Sequence, residues 1–558
     1  MTADLSKNLA DLNLDLERIA DPNMRRCVVG LLNIIQQQSS ENSHLREENQ
    51  RLRDEVARLK GEQGRPDIKP NNRGTGGGGD HSSEKERKKG RKKRKKSKEK
   101  KKIEIDRRQL CAVDKSTLPE DAEYKGTETT VVQDLIFRRD NVAFDREKYY
   151  SPSEGKTYLG PLPAGYEGYR FGPGVRSFVL TEYYATGTSE PKILALLHHA
   201  GVEMSAGELS RLLIHDIDKF HAEEAEVHQA GLSSSPWQQL DDTSTRVGGV
   251  NQYCHVLCNP LFTTYRTLPR KDRPMVLAVL RGTETPRYLV DANAMALAEL
   301  ADVSSKALYA FFEMPWGKEM EEAAFVEAYE ARLSWVGEQT RRKLFEAAAV
   351  AAYQAQTDVP VVKTLLGDDA PQFDALTDDR ALCWIHEGRL YKKLTPMVPQ
   401  FLQELEAFLD DFWSYYRELR VYRASPSRNE EKRLRRKFTR LFSREVSYQD
   451  LADRLGKTRE KKAKLLLVLT HPELPLHNNA SELGARQRVR KRDVSFGPRT
   501  STGARAWDTM QSLVETAKKL GVNIYEYFLD RVTGRGAVPP LAAAIETKAA
   551  ELNLGGSW

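Results

Sequence analysis

The chain has 558 residues, a formal net charge of +7 and only five cysteines. That length has room for several domains with sizeable cores. The cysteine count excludes a disulfide framework and points to a reducing compartment, and no apolar run approaches the ~20 residues of a membrane span. The charge is uneven: residues 84–102 hold 14 Lys/Arg against 3 Glu. The remainder is therefore net acidic, and any nucleic-acid contact there must come from local patches. The N-terminus, MTADLSKNLADLNLDLERIAD, is acidic and lacks an apolar h-region, so no secretory leader is expected. The reading is a soluble cytoplasmic protein.

Residues 1–63 are expected to be helical. Leu31, Gln38, Leu45, Leu52 and Leu59 recur every seven residues, with Ile35, Asn42, Asn49 and Val56 as companions. This pattern predicts a short coiled coil over 30–62, with buried Asn fixing register, and hence a homodimer or higher oligomer. Residues 64–102, GTGGGGDHSS followed by the lysine block, read as a flexible linker too self-repelling to fold. Such a block can bind DNA without sequence preference. Residues 103–185, rich in Tyr, Gly and Pro, read as a small β-rich module. With Cys111 alone it lacks the paired thiols of a zinc site.

Residues 186–231 turn helical. Two apolar-periodic helices are broken by Gly201, and Ser205 with Glu208 can close a capping box on the second. The pair is compatible with a helix-turn-helix, or with an ordinary αα-hairpin. Strands follow from Trp237, with a Gly248-Gly249 turn and Asp241-Asp242 on the first. Residues 275–358 and 396–470 read as helical insertions, and Asp291 as an N-cap. Between the insertions, VPVVKTLLGDDAPQF is a buried strand ending in Asp368-Asp369. ALCWIHEGRLYKKL is a shorter strand running into a basic helix. After the second insertion, Glu482 lies among Arg486, Arg488, Arg490, Lys491, Arg492 and Arg499. Residues 536–558 read as a tail.

Carboxylates from two strands (Asp241, Asp368) and one helix (Glu482) can converge on one point. Hard oxygen ligands suit Mg²⁺ or Mn²⁺, and two such ions can drive an in-line phosphoryl displacement. Asp242 and Asp369 are the alternatives one residue out of register. Spacing by itself equally permits strand-end turns at both Asp pairs and a basic surface helix around Glu482. Cys254, Cys258, Cys383 and His386 could be drawn together as a zinc set. Buried structural thiols are the simpler account, because Cys254 and Cys258 lie ~13 Å apart along one strand face. His386 reads equally as a group near the site and as a satisfied core histidine. Trp384 reads as core.

In this order, QLDDTSTRV, TLLGDDAPQF, ALCWIHEGR and LHNNASELGARQRVRKRDVSFGPR resemble the landmarks of the insertion sequence 66 family of bacterial transposases. SLVETAKKLGVNIYEYFLDRV resembles its closing segment, and the resemblance spans roughly residues 175–535. It implies an α/β, RNase H-like core over 232–535 with an Asp241–Asp368–Glu482 catalytic triad holding two metal ions. It implies double-stranded DNA as partner, cleavage of transposon ends and joining of the 3′-hydroxyl to target DNA, with accessory transposition proteins an option and a nucleoid-associated location. Arg486, Arg490, Lys491, Arg492, Arg499, Lys392 and Lys393 would contact DNA; Arg488 is a weaker choice from its helical angle. Leu483 replaces the family's Arg, Asp242 its Glu and His477 its Asp, and the N-terminal zinc module is reduced to Cys111. These departures place the chain in a divergent branch. The alternatives are a non-catalytic DNA-binding remnant and a nuclease on the same fold.

Overall fold

The computed structural model describes residues 16–59, 105–114, 117–119, 122–135 and 137–552. The Gly- and Lys-rich segment and residues 60–62 of the expected coiled coil lie outside these. Helices precede the central sheet: α1 (Pro22–Leu59), α2 (Pro173–Leu180), α3 (Glu190–His199), α4 (Ala206–Ile214) and α5 (Asp218–Ser233). The sheet opens with β1 (Trp237–Val247), β2 (Val250–Cys258) and β3 (Thr263–Leu268). Gly248 (φ 57°) and Gly249 (φ 85°) turn β1 into β2 through the positive-φ pair that a two-residue hairpin requires.

Five helices follow β3: α6 (Arg273–Arg281), α7 (Ala292–Leu300), α8 (Ser305–Phe312), α9 (Glu322–Leu333) and α10 (Glu338–Ala355). They carry the chain back to β4 (Thr364–Gly367) and then β5 (Asp379–Leu382), giving the sheet order β3-β2-β1-β4-β5. The first three strands are antiparallel; β4 runs parallel to β1, and β5 parallel to β4. All four residues of β4 are buried, as expected of a short apolar run covered on both faces.

A second helical group follows β5: α11 (Trp384–Lys392), α12 (Pro399–Ala424), α13 (Arg428–Phe442) and α14 (Gln449–Glu460). It has its own core around Trp384, which packs on Phe412 and Tyr415 and donates its indole N–H to the Leu465 carbonyl at 2.9 Å. The first turns of α1 dock there. Leu32 is buried, the Asn33 amide donates to the Ser447 carbonyl at 2.9 Å, and Gln36 accepts from the Met397 N–H at 2.7 Å. Farther along α1, Leu45, Leu52 and Val56 are exposed.

The chain ends with α15 (Asn479–Ser495), α16 (Ser501–Leu520), α17 (Ile524–Thr533) and α18 (Leu541–Leu552). Helix α16 closes the β3 edge of the sheet. Backbone N–H groups of Thr263, Tyr265 and Thr267 donate to Thr516 (3.1 Å), Ser512 (2.9 Å) and Asp508 (2.6 Å). The strand period of two thus meets the helix period of four, and no edge donor of β3 is left open at these positions. Helix α15 lies across β2. A Cβ on Gly484 would sit 2.6 Å from Val256, so only glycine allows this approach. One turn on, Arg488 is 2% exposed, paired with Asp508 and flanked by the rings of Tyr265 and Trp507, each 5.4 Å away. Lys491 is also buried, its ammonium 3.4 Å from the Tyr183 ring centre and 3.2 Å from the Thr188 carbonyl.

Four expectations change. Helix begins at Pro173, inside the span read as β-rich, where the hairpin Lys148–Ser151/Lys156–Leu159 is the only regular strand pairing among the described residues. The helix after Ser205 breaks before α5, where Asp216 takes φ 58°. The Cys-Trp-x-His segment is not strand: β5 stops at Leu382 and Trp384 opens α11. The tail contains α18, whose Leu541 and Ile545 are fully buried.

Asp508→Ala should cost about 3–5 kcal/mol in urea unfolding, because it strands a buried guanidinium and a strand-edge N–H. A loss below about 1 kcal/mol would contradict this role. Burial lowers the Lys491 pKa from its ordinary 10.5 to about 7. Between those values the unfolded chain binds the extra proton, so stability rises with pH across the window and is lost as pH falls toward 7. Lys491→Met should flatten that slope; urea midpoints compared at neutral and alkaline pH would show it.

Candidate active site

The β1–β4 register pairs Gln239 with Leu366. Continued by two residues, it brings Asp241 level with Asp368, one residue past the end of β4. Adjacent strands lie roughly 4.8 Å apart, so the two carboxyls share one end of the sheet. Asp241 registers the crowding: its pKa is pushed up to about 7. Burial is the main cause, followed by the charge of Asp368; Glu482 and Asp242 add to it. The Asp242 N–H, donating to Asp241 Oδ1 at 2.9 Å, opposes the shift.

Glu482 arrives from α15, and Gln239 fixes where that helix starts. Its Oε1 accepts from the N–H groups of Ala480 (3.2 Å) and Ser481 (3.4 Å), while its Nε2 donates to the His477 carbonyl at 3.4 Å. Gln239 and Asp241 are two apart on a strand and share a face. The residue that receives the helix N-terminus therefore also sets the side on which Glu482 meets Asp241. In the first turn, Glu482 sits at the positive end of the helix dipole.

Helix α11 supplies the partners of Glu482. Arg389 donates to both carboxylate oxygens at 3.3 Å, and His386 Nε2 lies 3.4 Å from Oε1. Burial lowers the His386 pKa, while the neighbouring Glu482 charge opposes that shift. The helix is itself fixed from below. Glu387, 3% exposed, accepts from Arg454 and from the Thr458 hydroxyl of α14. Sequence reasoning missed Arg389 and Gln239. The available signals were the i, i+3 spacing of His386 and Arg389, and the shared strand face of Gln239 and Asp241.

The alternative acids are engaged elsewhere. Asp242 accepts from the Gln372 amide at 3.0 Å and faces Lys271 at 3.6 Å; Asp369 pairs with Lys461. Cys383, His386 and Glu482 present ligand atoms within 4.8 Å of one another. Burial, however, pushes the Cys383 thiol up to about 12, which disfavours the thiolate a soft metal needs. Cys254 and Cys258 are buried on β2, which is separated from β5 by β1 and β4.

The basic residues divide. Arg486 and Arg490 are exposed at four-residue intervals from Glu482; Arg499, Lys392 and Lys393 are exposed as well. Arg492 is half-buried, its guanidinium donating to the Ser244 carbonyl at 2.6 Å, so it ties α15 to β1. Lys491 must be withdrawn as a phosphate contact, because it is enclosed by Tyr183 and the Thr188 carbonyl.

A family model described as "Transposase IS66 family" matches residues 364–506. That span runs from β4 through both partners of Glu482 to the start of α16. The chain is also 33% identical over 326 residues to "Uncharacterized protein y4jO" of Sinorhizobium fredii (strain NBRC 101917 / NGR234). The alignment covers 57% of this chain and 99% of that protein. No helix among the described residues is long and apolar enough to cross a membrane. With its match over the segment that carries Asp368 and Glu482, the chain belongs to the IS66 family of transposases.

Proposed function

We propose that the sheet is an RNase H-like core and that the protein is a DDE transposase. It would cleave transposon-end DNA and join the freed 3′-hydroxyl to target DNA. The mixed order β3-β2-β1-β4-β5 supports the fold. The observation that carries the chemistry is the β1–β4 register, which sets Asp241 level with Asp368 while Gln239 receives the start of the helix that brings Glu482; burial and these charges raise the Asp241 pKa to about 7. Asp241 and Asp368 at one end of the sheet, with the Glu482 charge raising Asp241, offer hard oxygen donors of the kind that suit Mg²⁺ or Mn²⁺. Asp241, Asp368 and Glu482 would hold two such ions, which when bound stabilise the attacking and leaving oxygens of a phosphoryl displacement.

The chain's own residues prepare that state. Asp241 gives up its proton. Arg389 and His386 hold Glu482 in place beforehand, and Arg389, whose side chain is 44% exposed, can turn its fork to a phosphate. Arg486, Arg490 and Arg499 receive the DNA backbone, with Lys392 and Lys393 on the α11 side. Two copies would pair through the exposed Leu45, Leu52 and Val56 of α1.

Glu482→Gln should reduce Mg²⁺-dependent nicking of end DNA by at least about 100-fold, since even outer-shell partners of a metal cost 10–100-fold. DNA binding measured by anisotropy should stay near wild type. Wild-type nicking in this variant would overturn the triad. Nicking without joining of pre-cut ends would reassign the protein as a nuclease.

An ion held by Asp241 would compete with the proton that burial and the neighbouring charges favour there. The apparent Mg²⁺ affinity should therefore fall roughly tenfold per pH unit below about pH 7. Calorimetry in two buffers of different ionisation enthalpy should detect the released proton, and Asp241→Asn should abolish that release.

A further inference from the structure

Phe496 is the most exposed large apolar residue among those described, at 92%, and it adopts φ 58°. Both properties oppose stability. A bulky side chain at positive φ is an outlier, and residues in such conformations persist only where their surroundings over-determine them. Here the surroundings do. The Phe496 N–H closes α15 on the Arg492 carbonyl at 2.7 Å, and the Gly248 N–H holds the Pro498 carbonyl at 3.2 Å. Gly497, at φ 82°, sits where a Cβ would come 3.1 Å from the Arg246 carbonyl, and Arg492 grips the Ser244 carbonyl. The backbone on both sides is thus fixed to the β1–β2 hairpin while the ring projects into solvent.

Exposed arginines flank the ring along the chain, with Asp493 the one acid between. Arg490 precedes it and Arg499 follows it, both exposed, and Arg486 and Arg490 lead back along α15 to Glu482. A rigidly mounted, solvent-facing aromatic at the end of a helix that exposes Arg486 and Arg490 matches the chemistry that receives an unpaired nucleobase. The cations take the backbone, and the π-face takes the base.

We infer that Phe496 is a stacking platform for an unpaired base of the DNA strand bound along α15. This rests on the proposed DNA-binding role of that helix. Fourteen residues separate Glu482 from Phe496, about 21 Å at 1.5 Å per residue. At the ~3.4 Å per nucleotide of a strand in duplex, the stacked base lies no more than about six nucleotides from the phosphate at the carboxylates, and fewer on a more extended unpaired strand. Phe496 would hold an unpaired nucleotide near the cut end out of the duplex.

The test uses the full chain and a duplex with a single-stranded extension, in which one fluorescent adenine analogue, quenched by stacking, is walked along the extension. Quenching should peak at one position, no more than about six nucleotides from the cleavage point at the ~3.4 Å duplex step. Phe496→Tyr should keep it. Phe496→Leu and Phe496→Gly should lose it and bind the extension roughly 5- to 100-fold more weakly, with fully paired duplex binding unchanged. Phe496→Gly should melt no lower than wild type, since it removes the positive-φ strain; this separates lost stacking from lost folding. If wild type binds the probe but Phe496→Gly quenches and binds as wild type does, the stacking role is wrong and the DNA-binding role of α15 stands. If wild type does not bind the probe, or Arg486→Glu/Arg490→Glu binds it unchanged, α15 is not the DNA track and the inference falls with it. A shift in oligomeric state with Phe496→Leu would make the ring a subunit contact instead.

Discussion

The buried pair of Arg488 and Asp508 joins the three parts on which the rest depends. Asp508 belongs to α16 and also accepts from the Thr267 N–H and hydroxyl of β3. Arg488 belongs to α15, six residues beyond Glu482. One carboxylate therefore links the sheet edge, the helix that covers it and the helix that carries the third acid. Buried ion pairs seldom add net stability over apolar replacements, but breaking one is costly. The pair thus acts as a positional constraint. With Gln239 at the helix start and Arg492 on the Ser244 carbonyl near its end, α15 is held at three points along its length.

The same helix shows why part of the structure was legible in the sequence and part was not. Local features were readable because a few adjacent residues determine them. Gly248-Gly249 makes the hairpin, Asp291 caps α7 by accepting from the Ala294 N–H, and Ser205 and Glu208 close their reciprocal box on α4. The buried face of α15 gave no such signal. It consists of Asn479, Ser481, Gly484, Ala485, Arg488 and Lys491, so the apolar period that marks an inward face is missing. Lys491 read as a surface cation for that reason. The fate of its charge is decided by Tyr183, Trp507 and the Thr188 carbonyl, all more than ten residues away in sequence. The Cys-Trp-x-His segment misled in another way. Cys383 is extended as an N-cap, and the apolar Trp384 and Ile385 are buried in the second core. A buried helix start and a buried strand look alike over so few residues.

The candidate site shows a similar division. The ordered motifs propose its carboxylates, but the choice between Asp241 and Asp242, or Asp368 and Asp369, depends on strand face and register, which only the fold supplies. Gln372 and Lys271 face Asp242, and Lys461 faces Asp369. Lys461 follows α14 directly, so the second helical group reaches the edge of the carboxylate cluster. Through Glu387 it also fixes α11 and hence His386 and Arg389. The insertion is thereby part of the framework of the site, although it carries none of the three acids.

The closed β3 edge has a consequence for how copies of this protein can come together. An open edge strand is a template onto which another chain can add by backbone pairing, productively or as aggregate. On one side that route is blocked by Thr516, Ser512 and Asp508. On the other, β5 is only four residues long and lies against the short helical turns Lys462–Leu465 and Leu467–Leu469. Among the described residues the central sheet therefore offers little edge for strand addition: one side is capped and the other is four residues long. Contacts between copies fall to helices, loops or a shared DNA, whose surfaces can separate without unzipping the sheet.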